Sequence, residues 1–269
     1  MSGTALRVRP AAVAGTFYPA KPAALRQALQ RSFDAAAPPP SGQARVPKAL
    51  VVPHAGYQYS GPVAATAYAC LNAVRQTVRR VVLAGPSHRV YLRGVGISSA
   101  DAFETPLGLV RVDTELRDRV MGLPGIHIND AAHAFEHSLE VQLPFLQTVL
   151  DDFTFLPVSV GDATTDEATA VLEACWGGSE TLVVVSTDLS HYLPYAEAVD
   201  LDSSTAAAIV GSRAGQISDT AACGARALRG LLTLAHERQL VVEQLDLRNS
   251  ADTAGGRERV VGYGAFAVA

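Results

Sequence analysis

Ala49-Leu50-Val51-Val52-Pro53-His54-Ala55-Gly56-Tyr57 opens as an unbroken apolar run and stops at a proline. A run of this kind reads as a buried strand. Proline ends the hydrogen-bond ladder, and glycine lets the backbone turn sharply. His54 is therefore expected just past the carboxyl end of a central strand, the edge at which open α/β sheets bind ligands. The same order of residue types returns in Arg80-Val81-Val82-Leu83-Ala84-Gly85-Pro86-Ser87-His88. It returns again in Thr181-Leu182-Val183-Val184-Val185-Ser186-Thr187-Asp188-Leu189-Ser190-His191. Three buried strands each run out into a loop that carries histidine. Laid side by side, they bring three imidazoles together.

The 269 residues are 48% hydrophobic and 18% charged, a balance that buries a sizeable core and argues against disorder. One α/β domain over residues 1–269, built on one sheet, accommodates this length. A net charge of -4 leaves no basic footprint for nucleic acid. The 3 cysteines are too few for a disulfide framework and odd in number, which points to a reducing compartment. No apolar run is long enough to span a bilayer. Residues 1–15 carry Arg7 and Arg9 with no long apolar core after them, so no secretory signal is expected. These features describe a soluble cytoplasmic protein without a membrane or nucleic-acid partner.

Residues 14–19 form an extended segment with adjacent aromatics, Phe17 and Tyr18. Leu25, Leu29 and Phe33 recur at helical spacing behind Pro22, which predicts a helix over 22–33. Residues 37–42 read as a surface loop, and a helix is expected over 62–74. Short strands are expected over 95–99, 102–105 and 109–112. A helix capped by Asp113 or Thr114 follows. Residues 129–137 read as irregular, and Ser138 as the cap of a helix bent at Pro144. Further strands are expected over 154–160, 241–247 and 260–268, with helices over 165–174, 194–210 and 224–237. Strands and helices alternate throughout, which gives an α/β class with a mixed central β-sheet between helical layers.

His54 and His88 can be read as loop histidines bonded to backbone, or as two neutral imidazoles on one metal. Their place at the sheet edge favours the metal. Cys223 stands at a predicted helix start, where the helix dipole favours the thiolate that binds metal. Cys70 and Cys175 fall within apolar helical patterns and read as structural. Asp188 can orient an imidazole, touch a metal or cap the next helix, and His191 can be a ligand or a general acid/base. His133-Ala134-Phe135-Glu136-His137 matches H-x-x-E-H, a zinc-peptidase pattern that requires a continuous helix. Here the segment reads as a loop. His127 and His236 read as surface residues.

Taken together, these stretches resemble the Memo family, whose bacterial and archaeal members are called AmmeMemoRadiSam system protein B. The resemblance rests on Ala14-Gly15-Thr16-Phe17-Tyr18, Pro53-His54-Ala55-Gly56-Tyr57 and Gly85-Pro86-Ser87-His88. It continues through Glu136-His137-Ser138-Leu139-Glu140, Ser186 to His191, Cys223-Gly224 and Gly262-Tyr263-Gly264-Ala265. It implies a fold similar to class III extradiol dioxygenases, which are non-haem iron enzymes. By that resemblance His54 and His88 take the histidine-ligand places and His191 the acid/base place. Cys223 stands where those enzymes have a glutamate, which sets ring cleavage in question. A thiolate suits copper or zinc as well as iron(II). Asp188 joins His191 in moving protons, while Phe17, Tyr18, Tyr57, His137 and Glu140 are expected at the substrate. The leading expectation is a mononuclear non-haem iron protein acting on a small organic substrate with dioxygen. The other is a binding module that uses the same pocket for phosphopeptide or copper. The family name also implies a functional link to a radical-SAM protein and an AMMECR1-domain protein.

Overall fold

The computed structural model describes residues 5–37 and 46–269. The first half of the chain runs β1 (Val8–Arg9), α1 (Pro22–Asp34), β2 (Ala49–Val52), α2 (Tyr57–Ala69), β3 (Arg80–Pro86), β4 (Val95–Ile97), β5 (Ala102–Thr105), β6 (Gly108–Arg111) and α3 (Thr114–Val120). Next come β7 (Ile126–Ile128), α4 (Asp130–Ala134), α5 (Leu143–Val149), β8 (Thr154–Val160) and α6 (Thr165–Ala174). The chain closes with β9 (Thr181–Ser186), β10 (His191–Leu193), α7 (Tyr195–Val210), α8 (Ala225–Glu237), β11 (Val242–Asn249) and β12 (Val260–Val268).

The main sheet has the order β7-β4-β8-β3-β9-β2-β12, with β10 and β11 both paired to β12. Its centre, β8-β3-β9-β2, is parallel, whereas β12 and β4 join it antiparallel. The parallel strands are buried on both faces, which is why they read as continuous apolar runs. Alternate residues still choose sides. Leu50, Val52, Leu83 and Val184 meet α1, α2, α5 and a small sheet of β1, β5 and β6. Val51, Val82, Val183 and Val185 meet α3, α6, α7 and α8. The mixed sheet between helical layers is thus the observed architecture. No described helix is long and apolar enough to cross a membrane.

Several boundaries differ from the sequence reading. The helix expected over 62–74 starts at Tyr57, so that Pro62 lies inside α2, and ends at Ala69 before a 3₁₀ turn. Pro62 is the sixth residue of α2, so it forfeits the helical bond to the Gln58 carbonyl, and Gln58 is exposed, where water can take that acceptor. Ser138 caps no helix: its hydroxyl donates to the Pro86 carbonyl at 2.8 Å. Pro144 stands in the first turn of α5 and bends nothing. Asp113 does cap α3, accepting the Leu116 N–H at 3.0 Å. Of the loop expected over 37–42, residues 38–42 lie outside the described residues.

Two buried polar groups hold the N-terminal segment and the 129–140 segment together. Glu140 has no exposed surface and pairs with Arg9, itself 6% exposed. Its carboxylate also accepts the Ala12 N–H at 2.8 Å, the Val13 N–H at 3.0 Å and the Tyr18 hydroxyl at 2.5 Å. Glu140 is a structural knot, not the substrate contact expected from sequence. His133 donates from Nε2 to the Gly96 carbonyl at 3.0 Å, and burial pushes its pKa down to about 4.

Glu140→Ala should lower stability by about 3–5 kcal/mol, because it leaves the buried Arg9 charge unpaired. Chemical denaturation reads this directly, and a loss under about 1 kcal/mol contradicts the ion-pair role. His133 adds an acid sensitivity. A buried imidazole held neutral binds its proton more readily once unfolded, so its contribution is complete above about pH 6.5 and is lost as pH falls. The window closes at about pH 4. His133→Gln should flatten the stability profile across that window, and an unchanged profile assigns the acid sensitivity to other groups.

Candidate metal centre

β2, β9 and β3 are neighbours in register, so their carboxyl ends fall side by side. His54 follows β2, Asp188 follows β9 and His88 follows β3. The rings of His54 and His88 meet edge to face with centroids 5.2 Å apart. Cys223 arrives from the segment before α8. A Cβ on Gly224 would meet the Ser186 carbonyl oxygen at 2.7 Å, so only glycine lets that corner approach the end of β9.

Proton accounting decides which imidazole nitrogens are free. Ser186 Oγ has one proton, and it goes to the Ser138 carbonyl, an acceptor only, at 2.7 Å. Gln142 Nε2 donates to Ser186 Oγ at 2.8 Å and to the Pro53 carbonyl at 2.9 Å. His54 Nδ1, 2.9 Å from Ser186 Oγ, must then be the donor, which leaves Nε2 as a lone pair. His88 Nδ1 lies 3.0 Å from Glu136 Oε1. Burial alone would raise the Glu136 carboxyl, but hydrogen bonding from His137 and His88 outweighs it and holds the group well below the usual carboxylate range. Glu136 is therefore an acceptor, and His88 also keeps Nε2 free. His191 Nδ1 meets the Leu189 carbonyl at 2.8 Å, with the same result. Burial, followed by the nearby His88 and His137, depresses the His54 pKa, so this ring stays neutral.

His54 Nε2, Cys223 Sγ and a His88 nitrogen all lie within 4.8 Å of one another. The Cys223 Sγ to His54 Nε2 distance is 3.2 Å. Donors at ordinary metal–nitrogen and metal–sulfur distances are separated by about 3.1–3.5 Å, so this donor set fits one ion. The thiol differs from expectation. α8 begins at Ala225 with Gly224 as its cap, and Cys223 stands before it. Burial, with the nearby Asp188 carboxylate, pushes the thiol up to about 12, the opposite of a dipole-stabilised thiolate. Desolvation is the larger effect here, and Cys223 is a thiol at neutral pH.

The His54 and His88 side opens on a cleft of about 660 Å³, lined also by Phe17, Tyr59, His137, Asp188, His191, Tyr192 and Arg259. Phe17 packs on His137 at 4.4 Å between centroids. Asp188 is 4% exposed, accepts the His54 backbone N–H at 2.7 Å and has its pKa raised by burial. It positions the His54 backbone, not an imidazole. Tyr18 and Tyr57 do not line this cleft. They help form an adjacent one of about 630 Å³, which touches the first at Phe17, Gly56 and Tyr59. Their hydroxyls are already committed, Tyr18 to Glu140 and Tyr57 to the Val141 carbonyl. His133 is held on α4, its Nε2 committed to Gly96, so H-x-x-E-H is no peptidase site here. Residues missed from sequence are Glu136, Ser186 and Gln142, whose role is to orient ligands. Glu136 and Ser186 stand in stretches that carry the family resemblance, whereas nothing in the sequence marked Gln142.

A family model described as Memo-like protein matches residues 9–267. A MEMO1 family protein of Aquifex aeolicus is 35% identical, over 96% of this chain and 98% of its own. One from Methanothermobacter thermautotrophicus is 37% identical, over 95% and 98%. An uncharacterized protein of Escherichia coli K12 superposes with a TM-score of 0.50 at 15% identity, covering 82% of this chain and 99% of that one, and shares the fold. With matching sequence over nearly its whole length, this chain belongs to the Memo family.

Proposed function

We propose that the chain is a mononuclear metal-dependent redox protein acting on a small organic substrate, with iron(II) as its ion and dioxygen as oxidant. The observation that carries this reading is the trio of His54, His88 and Cys223 donor atoms within 4.8 Å at the sheet edge. Both histidines donate from Nδ1, His54 to Ser186 and His88 to Glu136, so Nε2 is the lone pair of each neutral ring. An iron(II) ion held there would supply redox chemistry and dioxygen activation, while copper or zinc would also suit a ligand set with a thiolate. The chain's own groups do the rest. Phe17 and Tyr59 give the cleft an aromatic wall for the substrate. His191 presents a free Nε2 as proton acceptor, and Asp188, raised by burial, takes up or returns a second proton nearby. A second reading is a non-catalytic binding module that uses the same pocket for phosphopeptide or copper, favoured by the Cys223–His54 contact that closes the site on itself.

Protein purified without oxygen should hold close to one ion per chain, and His54→Ala with His88→Ala should remove it. His133→Gln should retain it, and loss of the ion there reopens the peptidase pattern. Metal retained at full occupancy in the double variant sinks the assignment. Glu136→Gln should weaken binding about 10–100-fold by releasing His88 from its orienting carboxylate. Calorimetry on a variant with native circular dichroism measures this, and unchanged affinity removes Glu136 from the site.

Cys223, protonated up to about pH 12, must lose its proton to bind. Affinity should therefore rise about tenfold per pH unit from about pH 7 to 9, and about one proton should appear per ion bound in weak buffer. No proton release excludes Cys223 as a thiolate ligand.

A further inference from the structure

We infer that the substrate of this cleft carries an oxyanion, a carboxylate or phosphate group, held between Arg89 and Arg259. The inference rests on the metal-site reading for the reacting end, and the arginines are argued independently of it. Arg89 follows His88 directly, and both line the cleft. Arg259 lines it from the β12 side, next to Gly255 and Gly256. No carboxylate among the described residues lies within salt-bridge distance of either guanidinium. The arginines that do have such partners are all elsewhere: Arg9, Arg80 and Arg226 are examples.

The acid side of the cleft is already spent. Asp188 is its single acidic lining residue, and its Oδ1 accepts the His54 N–H. A chain of net charge -4 thus lines this cleft with two arginines, four histidines and one committed aspartate. A concave, low-dielectric surface of one sign concentrates counter-ions of the other.

Arg259 is also preorganised. Its guanidinium lies over the Tyr192 ring at 5.0 Å, which restrains it while its N–H fork stays available. Tyr192 itself has φ 60, a left-handed conformation that non-glycine residues rarely adopt. Such strain gathers where a side chain must be held in one place for a ligand. Here it presents a ring, 61% exposed, beside His191 at 5.8 Å. The cleft therefore has a cationic rim, an aromatic shelf and the His54 and His88 rings in its lining. A planar fork recognises carboxylate or phosphate through paired N–H···O bonds. The fitting substrate is a small organic acid or phosphate ester, with its reactive part toward His54 and His88.

Calorimetric titration of the purified chain with benzoate, phenyl phosphate and neutral benzyl alcohol tests this. At least one anion should bind more tightly than benzyl alcohol, and the preference between the two identifies the head group. Arg89→Ala and Arg259→Ala should each weaken that anion about tenfold, the loss expected for a charge-assisted pair. Arg259→Lys should recover only part of the loss, and Arg119→Ala, outside the cleft, should change nothing. Equal binding of the alcohol, no binding by either anion, or an Arg89→Ala, Arg259→Ala double variant that binds as wild type overturns the inference. Elemental analysis of the same samples separates the two readings. Arginine-dependent anion binding in a chain that holds no metal refutes the metal site alone. Stoichiometric metal without anion binding refutes the arginine pair alone.

Discussion

The Ser186 hydroxyl can give away one proton, and the Ser138 carbonyl takes it. That single commitment sets the rest of the centre. Gln142 must donate into Ser186, His54 must donate into it as well, and the opposite face of the His54 ring is left with a lone pair. Gln142 cannot turn over to relieve this, because its amide is fixed by the Pro53 carbonyl and the Tyr68 hydroxyl. Ser138, Gln142 and Ser186 have no exposed surface, so water does not offer an alternative partner. Buried polar networks of this kind hold one arrangement because an unpartnered group in them is expensive.

The same segment serves the other imidazole. Glu136 stands two residues before Ser138 and takes the His88 Nδ1 together with the His137 and Ser138 N–H groups. One short stretch thus orients both imidazoles, and it is in turn anchored to the N-terminal segment. Arg9 donates to the His133 carbonyl at 2.9 Å and pairs with Glu140, while Phe17 reaches forward onto His137. Packing, proton accounting and the shape of the cleft are coupled through residues 133–142, although none of these is one of the three donor residues.

Much of this was legible in the chain. Apolar runs ending in Pro53-His54, Pro86-Ser87-His88 and Asp188 to His191 located three strands, and the sheet sets β2, β9 and β3 side by side as that pattern requires. His54 and His88 come together because strand ends are geometrically constrained, and Cys223 joins them because Gly224 lets the corner before α8 reach the end of β9. The misreadings have a common cause. Tyr18, Tyr57 and Glu140 are polar residues in motif-bearing stretches, and sequence does not reveal whether such a group faces a cleft or pairs internally. Glu140 pairs with Arg9, more than a hundred residues away along the chain, and no local pattern signals it. Cys223 was misjudged for the same reason: the helix start was visible, whereas the burial that dominates its thiol was not.

The central claim is that two imidazoles and one thiolate of this chain hold a single ion. X-ray absorption at the metal edge, on protein purified without oxygen, tests it most directly. The account predicts one sulfur scatterer at about 2.3 Å together with two imidazole nitrogens at about 2.0–2.1 Å. The sulfur should vanish in Cys223→Ser. A spectrum with nitrogen and oxygen neighbours alone, unchanged by that substitution, contradicts it.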